Sequence, residues 1–479
     1  MIKLPKYIIN IVVKLQKAGY EAYIVGGCVR DWLLKKEPED WDITTNAKPE
    51  EILKVFSNAK YENAFGTVLV KVKNSKNQTE TVVEVTTYRS EQGYSDRRHP
   101  DNVKFEDSLE KDLARRDFTI NALAMDLDGK ITDLYGGEDD LKKKIIRSVG
   151  EPADRFKEDA LRMMRAIRFV SQLGFEIEPK TERAIVKLAG SIKFVANERV
   201  RDELIKIIAS DRPYEGVIKM QKTKLLNYIL PELEDGVGVK QNYHHIYTVF
   251  DHNTLSLKHC PSKDWRVRFA ALLHDIAKPK TLKYIDNKNT FYNHEYVGEK
   301  MARKIMKRLK FANDDLEKVA VLVRNHMFYY NVDEVSASSV RRLILKVGEE
   351  NLKALIDMRV ADRLGSGTPK AIPYKLRHLQ YMMDKVRHDP ISVKMLKING
   401  DEIMELLKIK PGPKIGAILD VLLSDVIEDP KLNTEKHLKQ KSQELADMNL
   451  NQLRNKAKHL IEETRESEDQ ELKKTHRVK

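Results

Sequence analysis

The chain has 479 residues, a formal charge of +13 at pH 7 and a sequence pI of about 9.2. A single hydrophobic core does not grow to this size, so several domains are expected, and the basic charge makes an anionic polymer a plausible partner. Two cysteines, Cys28 and Cys260, exclude a disulfide scaffold and are not spaced for a zinc site. Because no signal peptide and no membrane-spanning run is evident, we expect a cytoplasmic protein with no membrane partner.

The first predicted elements are an apolar strand that ends at Val25 and a helix over residues 29–34, joined by Gly26 and Gly27. Glycines at such a turn let the backbone approach a phosphate, whose charge is favoured by the free N–H groups at the start of the helix. Arg30 could meet the same phosphates. A purely structural turn is the alternative for the glycine pair taken alone.

Two carboxylates follow one residue apart, at Asp40 and Asp42. Side chains alternate faces along an extended strand, so both point one way while Trp41 points into the opposite face. Two oxygen ligands on one face can hold Mg²⁺, which would bridge nucleotide phosphates and activate an attacking hydroxyl. A solvated acidic pair is the alternative.

Two segments rich in β-branched residues, 67–72 and 81–88, are separated by the polar run N-S-K-N-Q and predict a hairpin. Further on, Arg116 and Asp117 open a segment that ends at Asn121. Since a carboxylate can accept a hydrogen bond from a ribose hydroxyl while a guanidinium contacts phosphate, this segment predicts a ribonucleotide site. A surface ion pair is the alternative.

From residue 151 onward the periodicity becomes helical, and a helix is predicted to begin near Asp159. Arg162 lies one turn further on, and Arg165 and Arg168 continue at the same spacing. An Asp acceptor beside an Arg donor matches the base-pairing edges of cytosine and adenine, whereas uracil and guanine present the opposite pattern. Base choice by protein side chains is therefore predicted here, with a surface helix carrying Glu158–Arg162 and Asp159–Arg162 ion pairs as the alternative.

Three motifs stand in order along the chain: G-G-C-V-R-D with D-W-D-I-T-T, then R-R-D-F-T-I-N-A-L, then E-D-A-L-R-M-M-R-A-I-R-F. Together they resemble the signatures of the class II tRNA nucleotidyltransferase and bacterial poly(A) polymerase superfamily. The resemblance implies an α+β head with a polymerase-beta-like mixed sheet, in which Glu84 joins Asp40 and Asp42 as a third catalytic carboxylate at the Mg²⁺ site. An exposed strand glutamate is the alternative for Glu84. It implies nucleotide contacts from Gly26, Gly27, Arg30, Arg116, Asp117, Asn121, Asp159, Arg162, Arg165 and Arg168. It also matches the family's flexible-loop pattern Y-x-D-x-R-x-P to Tyr94, Asp96, Arg98 and Pro100.

A second set of candidate ligands lies between residues 252 and 362, around an apolar helix that carries a His-Asp doublet. Imidazole suits transition metals, and a carboxylate can bridge or complete the shell. The set resembles the HD phosphohydrolase domain, whose four-ligand core matches His252, His274, Asp275 and Asp362, and whose two-metal members add histidines at His294 and His326. A degenerate HD domain kept as scaffold is the alternative.

Towards the C-terminus, segments 397–404 and 410–419 predict two helices joined by a Gly/Pro turn. Backbone N–H groups at the turn, with Lys410 and Lys414 nearby, could hold a nucleic-acid phosphate. A plain interhelical turn is the alternative. From Lys431 the chain is rich in Lys, Glu and Gln, which indicates a solvated helix or a partly disordered tail.

We therefore expect four parts: a nucleotidyltransferase head (1–148), then an all-α neck with the base-selection helix (149–235), an HD domain (236–370) and C-terminal RNA-binding helices with a tail (371–479). The resemblance implies template-independent addition of C, C and A to the 3′ end of tRNA, with CTP and ATP as substrates and the acceptor arm as partner. An A-adding nucleotidyltransferase or a poly(A) polymerase is the first rival. A metal-dependent phosphohydrolase whose head only binds RNA is the second.

Overall fold

A computed structural model describes residues 3–62, 66–73, 79–92, 102–241, 246–328, 336–368, 371–386 and 393–456. The chain forms two compact units, 1–320 with 365–367, and 321–364 with 368–479. The predicted flexible-loop residues Tyr94, Asp96, Arg98 and Pro100 lie outside the described residues, as do the hairpin turn 74–78 and the tail beyond 456. Among the described helices, none combines the length and the apolar character needed to cross a membrane.

The head of the first unit is built on a seven-stranded mixed sheet. The head strands are β1 (Ala22–Val25), β2 (Asp42–Thr45), β3 (Ala59–Tyr61), β4 (Thr67–Lys73), β5 (Thr79–Thr87), β6 (Arg89–Gln92), β7 (Asn102–Phe105), β8 (Leu123–Met125) and β9 (Ile131–Asp133). The large sheet has the order β3-β4-β5-β2-β1-β8-β9, and β6 and β7 form a separate antiparallel pair. The predicted hairpin is confirmed by the antiparallel pairing of β4 with β5. Strand β2 runs parallel to β5 and antiparallel to β1, so the start of β2 lies beside the end of β1 and the middle of β5.

Five helices accompany this sheet. They are α1 (Lys6–Lys17), α2 (Gly27–Leu33), α3 (Pro49–Val55), α4 (Leu109–Ala114) and α5 (Gly137–Lys143), with a 3-10 turn at Thr119–Asn121. Helix α1 packs on β1 and α3 through apolar residues three and four apart, as an amphipathic helix does. Helix α2 begins at Gly27, two residues earlier than predicted, because Gly26 itself forms the cap.

The neck is helical, as predicted, apart from one short parallel strand pair. Its helices are α6 (Pro152–Glu158), α7 (Leu161–Leu173), α8 (Pro179–Leu188), α9 (Asn197–Ala209), α10 (Pro213–Lys222), α11 (Leu226–Ile229) and α12 (Pro231–Glu234), with a 3-10 turn at Ala189–Phe194. Strand β10 (Ile145–Ile146) pairs with β11 (Glu176–Ile177). The base-selection helix was predicted to begin near Asp159, but that residue is extended and the helix begins at Leu161.

The helices that follow carry the His-Asp doublet and belong largely to the first unit. They are α13 (Val249–His259), α14 (Trp265–Leu273), α15 (Lys278–Thr281), α16 (His294–Arg308) and α17 (Asn313–Arg324). A hairpin of β12 (Lys283–Ile285) and β13 (Lys288–Thr290) interrupts them, so this region is not purely helical.

The described part of the second unit is helical and contains two apolar clusters. Its helices are α18 (Ala337–Val347), α19 (Leu352–Gly365), α20 (Tyr374–Val386), α21 (Gly400–Leu407), α22 (Pro413–Glu428) and α23 (Glu435–Glu444), with 3-10 turns at Glu349–Asn351, Val393–Met395 and Pro430–Leu432. One cluster joins α18, α19 and α20, and the other joins α21, α22 and α23. The predicted pair of C-terminal helices is confirmed as α21 and α22.

Candidate active site

The acidic pair of the head lies at the start of β2. Asp42 is the first residue of the strand, and Asp40 occupies a bend just before it. Trp41 is only 6% exposed, whereas Asp40 is exposed and Asp42 is half-buried. The alternation predicted for these three residues is therefore found, although Asp40 itself precedes the strand.

A third carboxylate reaches the pair through strand register. The parallel pairing of β2 with β5 sets Asp42 directly beside Glu84. Burial raises the pKa of Asp42, with Arg116 opposing and Asp40 reinforcing the shift. Burial also raises the pKa of Glu84, and the negative charges of Asp42, Glu62 and Asp40 add to it. Carboxylates that repel one another in this way favour a bound cation, and hard oxygen donors suit Mg²⁺.

Arg116 and Asp42 both approach the glycine turn at Gly26. Gly26 has φ +88°, a conformation that side chains rarely adopt. A Cβ atom at Gly26 would lie 2.8 Å from Arg116 Nη1 and 3.8 Å from Asp42 Oδ2. Glycine is therefore required here both by backbone conformation and by the close approach of the guanidinium.

A chain of polar contacts joins α2 to α7. Arg30 Nη1 donates to Asn121 Oδ1 (2.8 Å), and Asn121 Nδ2 donates to Asp117 Oδ1 (3.2 Å). Asp117 Oδ2 accepts from Arg165 Nε (2.6 Å). Burial acts to raise the pKa of Asp117, but Arg165 and Arg162 outweigh it and lower the pKa to about 2. Four of the predicted nucleotide residues thus form one charged network between head and neck.

Of the two ion pairs in the surface-helix alternative, the structure forms Glu158–Arg162 but not Asp159–Arg162. Asp159 accepts from Arg199 through both oxygens (2.7 and 3.2 Å). Arg162 pairs with Glu158 (2.6 Å) and donates to the Arg115 carbonyl (3.1 Å). Among the described residues the Asp159–Arg162 ion pair is not formed, because the extended backbone at Asp159 aims its carboxylate at α9.

Arg168 is turned into the protein interior. It is 8% exposed, and its Nη1 donates to Glu203 Oε1 at 2.8 Å. Burial, with the charge of Arg165, lowers the pKa of Arg168 to about 10. Its guanidinium also lies over the ring of Phe169, 4.8 Å from the centroid. These contacts hold α7 on α9, and a nucleotide contact from Arg168 stays a prediction.

Three polar residues with prominent contacts were missed from the sequence: Asp112, Arg199 and Glu203. Asp112 stands three and four residues before Arg115 and Arg116, and that helical spacing is a signal that could have revealed it. Arg199 and Glu203 pair with residues 40 and 35 positions away, and no local spacing indicates such a contact.

In the first unit, three of the candidate metal ligands, all histidines, meet around a fourth, Asp275. Its Oδ2 lies 3.2 Å from His252 Nε2 and 3.4 Å from His274 Nε2, and its Oδ1 lies 3.2 Å from His294 Nε2. Lys278 Nζ contacts Oδ2 at 2.6 Å. Burial acts to raise the pKa of Asp275, but Lys278 and the histidines outweigh it, so the pKa lies well below its ordinary value.

The outer nitrogens of these rings have backbone partners. His274 Nδ1 lies 2.8 Å from the Ala271 carbonyl, and His294 Nδ1 lies 2.8 Å from the Phe291 carbonyl. A carbonyl can only accept, so Nδ1 donates in both rings and leaves Nε2 as the nitrogen that faces Asp275. Nε2 is therefore the ring atom that could bind a metal.

The remaining two candidate ligands belong to the second unit. His326 is buried, and its Nδ1 lies 2.7 Å from the Val323 carbonyl, the same arrangement as in the first unit. Asp362 on α19 contacts Arg359 Nη1 at 2.7 Å.

At the predicted phosphate-binding turn between α21 and α22, one of the two lysines makes a contact within the protein. Lys414 Nζ donates to the Ala446 carbonyl at 2.6 Å. This contact ties the start of α22 to the segment after α23, which favours the interhelical-turn reading for Lys414. Phosphate binding by Lys410 stays a prediction.

Three family models match the chain. They are described as the poly A polymerase head domain (residues 22–147), the probable RNA and SrmB-binding site of polymerase A (174–236) and the HD domain (243–366). With the acidic face at the start of β2, the fold defines a nucleotidyltransferase with an appended HD domain. The chain is 33% identical to the CCA-adding enzyme of Leuconostoc mesenteroides, over 88% of this chain and 92% of that one. It belongs to the family of CCA-adding tRNA nucleotidyltransferases.

Two further comparisons sharpen this placement. The A-adding tRNA nucleotidyltransferase of Deinococcus radiodurans is 35% identical, over 67% of this chain and 76% of its own length. The crystal structure of the Bacillus stearothermophilus CCA-adding enzyme in complex with CTP superposes with a TM-score of 0.70, at 26% identity over 91% of this chain and 96% of that one. The coverage of the L. mesenteroides enzyme and of this structure favours CCA addition over addition of A alone.

Proposed function

We propose that the chain adds C, C and A to the 3′ end of tRNA, using CTP and ATP and no nucleic-acid template, in the cytoplasm. The observation that carries the proposal is the register that sets Asp42 beside Glu84, under Arg116 and the Gly26 turn. The near full-length similarity to a CCA-adding enzyme supports it.

Asp40 and Asp42, with Glu84 beside them, are the residues that would hold Mg²⁺. When bound, the ion would offset triphosphate charge and lower the pKa of the attacking 3′ hydroxyl. Arg116 and Arg30 place positive charge next to this face, where the phosphates of CTP or ATP would lie. The half-buried position of Asp42 strengthens these charge interactions relative to open water.

Base choice is assigned to Asp159 and Arg162. To contact a base, each would exchange its present partner, Arg199 or Glu158, for the base-pairing edge of cytosine or adenine. Uracil and guanine would leave these groups unpaired, at a cost of about 1–3 kcal/mol for each lost partner.

The test is to incubate tRNA that ends at its discriminator base with CTP, with ATP, and with both, and to sequence the products. We expect two cytidines with CTP alone and a complete CCA with both nucleotides. An enzyme that adds A alone would act only on tRNA already ending in CC. A poly(A) polymerase would extend the RNA with ATP alone, and either result overturns the proposal.

A second activity, hydrolysis of phosphoesters at the histidine cluster, is favoured by the orientation of the His274 and His294 rings. Their Nε2 atoms face Asp275, and together these groups form an N/O donor set that suits a transition metal. The test is hydrolysis of p-nitrophenyl phosphate and bis(p-nitrophenyl) phosphate by protein loaded with Mn²⁺, Co²⁺ or Ni²⁺. Absence of turnover with every metal would leave the cluster as scaffold.

A further inference from the structure

Asp112, on α4, is a fully buried acid with three charged or polar partners. It is 0% exposed. Its Oδ1 accepts from Arg115 (Nη2 at 2.7 Å and Nε at 3.0 Å), and its Oδ2 accepts from Arg116 Nη2 and from Thr44 Oγ1, each at 3.3 Å. A buried carboxylate is costly unless it is paired, so these contacts must hold its neighbours in fixed places.

Asp112 contacts both Arg116 and β2, the strand that begins with Asp42. Thr44 stands two residues after Asp42 on β2, and side chains two apart share a strand face. Arg116 is bound to Asp112 through Nη2, while its Nη1 lies beside the Gly26 turn, which Asp42 Oδ2 also approaches. Asp112 therefore holds one amino group of the Arg116 guanidinium while the other faces the glycine turn.

Arg116 lies beside an acidic face, and this explains why the position of its guanidinium must be fixed. Asp42 lies directly beside Glu84 in the strand register, and Asp40 stands two residues before Asp42, so three carboxylates share this face. A guanidinium free to move would pair with these carboxylates and compete with a divalent cation for them. An opposing buried carboxylate keeps the arginine in place by charge.

We propose that Asp112 is a positioning residue for nucleotide addition. It holds the Arg116 guanidinium back from Asp42 and Glu84, so that the carboxylates bind the metal ion and the guanidinium meets the triphosphate. The inference rests on the proposed function, because it takes Asp42 as a metal ligand and Arg116 as a phosphate contact.

The experiment is Asp112→Asn, which keeps the shape of the side chain and removes its charge. We expect kcat/KM for both CTP and ATP to fall by about tenfold or more, as when a partner that orients a metal-site group is lost. The Mg²⁺ concentration for half-maximal rate should rise, because Arg116 now competes for the carboxylates. The KM for tRNA should stay unchanged.

The matched control is Asp140→Asn. Asp140 is also buried in the head (3% exposed) and also accepts from one threonine and one arginine, Thr119 (2.7 Å) and Arg147 (3.0 Å). Its arginine lies near Glu178, so this pair does not involve the acidic face. Both variants should lose thermal stability, but only Asp112→Asn should raise the Mg²⁺ requirement. Equal Mg²⁺ dependence and equal nucleotide KM in the two variants would overturn the inference.

Two further variants test the inference independently. If Asp112→Asn does not fold, Thr44→Val removes one contact of Asp112 and should raise the Mg²⁺ requirement in the same direction by less. No rise in the folded Thr44→Val protein would then count against the inference. In an Arg116→Ala background, Asp112→Asn should change the Mg²⁺ requirement no further, and an additional rise would show that Asp112 acts by another route.

Full activity of Asp42→Asn would overturn the proposed function itself, whereas a neutral Asp112→Asn beside an inactive Asp42→Asn would overturn only the inference.

Discussion

The acidic face of the head and the histidine cluster around Asp275 are both suited to metal ions, but they are built from different ligands in different surroundings. The head offers only oxygens, at Asp40, Asp42 and Glu84, and two of these side chains are exposed. The cluster offers mainly imidazole nitrogens, and its members in the first unit are at most 8% exposed. An open oxygen site suits Mg²⁺ and a large substrate, whereas a closed nitrogen site suits a transition metal.

The two regions also differ in charge balance. Burial and neighbouring acids raise the pKa of Asp42 and Glu84, so the head carries negative charge that its own residues do not fully offset. Asp275 has Lys278 at 2.6 Å, and its pKa lies well below the ordinary value. We therefore expect the head to depend more strongly on an added cation than the cluster, in which Lys278 already contacts Asp275.

The largest expected effect comes from Asp42→Asn, which removes one charge from the acidic face. Nucleotide addition at saturating Mg²⁺ should fall more than about a hundredfold, because the charge is needed where the transition state develops its own. Binding of tRNA, measured by filter retention, should stay the same, since we expect it to depend on basic residues away from the acidic face. Asp128→Asn, at an exposed turn of the head, is the control and should be fully active. Substantial turnover by Asp42→Asn would show that the acidic face of the head is not the catalytic site.

A smaller effect is expected from Asp159→Ala, which acts on base choice alone. Discrimination of CTP and ATP against UTP and GTP should weaken by about 1–3 kcal/mol for each lost hydrogen bond. The measurement is kcat/KM for all four nucleotides on tRNA ending at its discriminator base.

Arg199→Ala is the control for this prediction. It breaks the Asp159–Arg199 ion pair but keeps the Asp159 acceptor, so base selectivity should survive. If Asp159→Ala lowers incorporation of all four nucleotides equally, or if Arg199→Ala reproduces its loss of selectivity, the Asp159 side chain is structural and base choice lies elsewhere.

The network between head and neck predicts a pH-dependent stability. The folded-state pKa of Asp117, about 2, lies below its ordinary value of 3.8, so the ionised side chain stabilises the fold at pH values above 3.8. That stabilisation, about 2 kcal/mol, is lost as the pH falls through about 2. Asp117→Asn should therefore lower the free energy of unfolding near pH 7. Below pH 4 the difference in this free energy between variant and wild type should become smaller. Asp139→Asn, at an exposed site of α5, should show no such gap, and a gap for Asp117→Asn that is constant with pH would contradict the assignment.

The smallest effect on nucleotide addition is expected from His274→Ala combined with Asp275→Ala. Bound transition metal, measured by elemental analysis, and any phosphohydrolase activity should be lost, whereas CCA addition should be nearly unchanged. His259→Ala, an exposed histidine at the end of α13, should leave metal content as it was. Loss of CCA addition in the folded double variant would show that the two sites are coupled. Activity that survives loss of Asp40 but not of His274 would favour the phosphohydrolase rival.

Local patterns predicted the β4–β5 hairpin, the glycine turn and the alternation around Trp41, because each depends on residues close together in sequence. The position of Glu84 came from the family resemblance, and the strand register agrees with it. The start of α7 was misplaced, since Asp159 and Ala160 break the helix while the apolar spacing continues through them.

The sequence by itself determined which residues carry the chemistry: the acidic pair, the glycine turn, the arginines and the His-Asp doublet, together with the family that combines them. Only the tertiary structure decided how their charges are partnered. Asp159 meets Arg199, Arg168 meets Glu203, and Asp112 meets Thr44, each across 35 or more residues. The physical reason is that residue type and short spacing set local backbone structure, whereas the partner of a buried charge is chosen by whichever distant side chain the packed elements bring within hydrogen-bond reach.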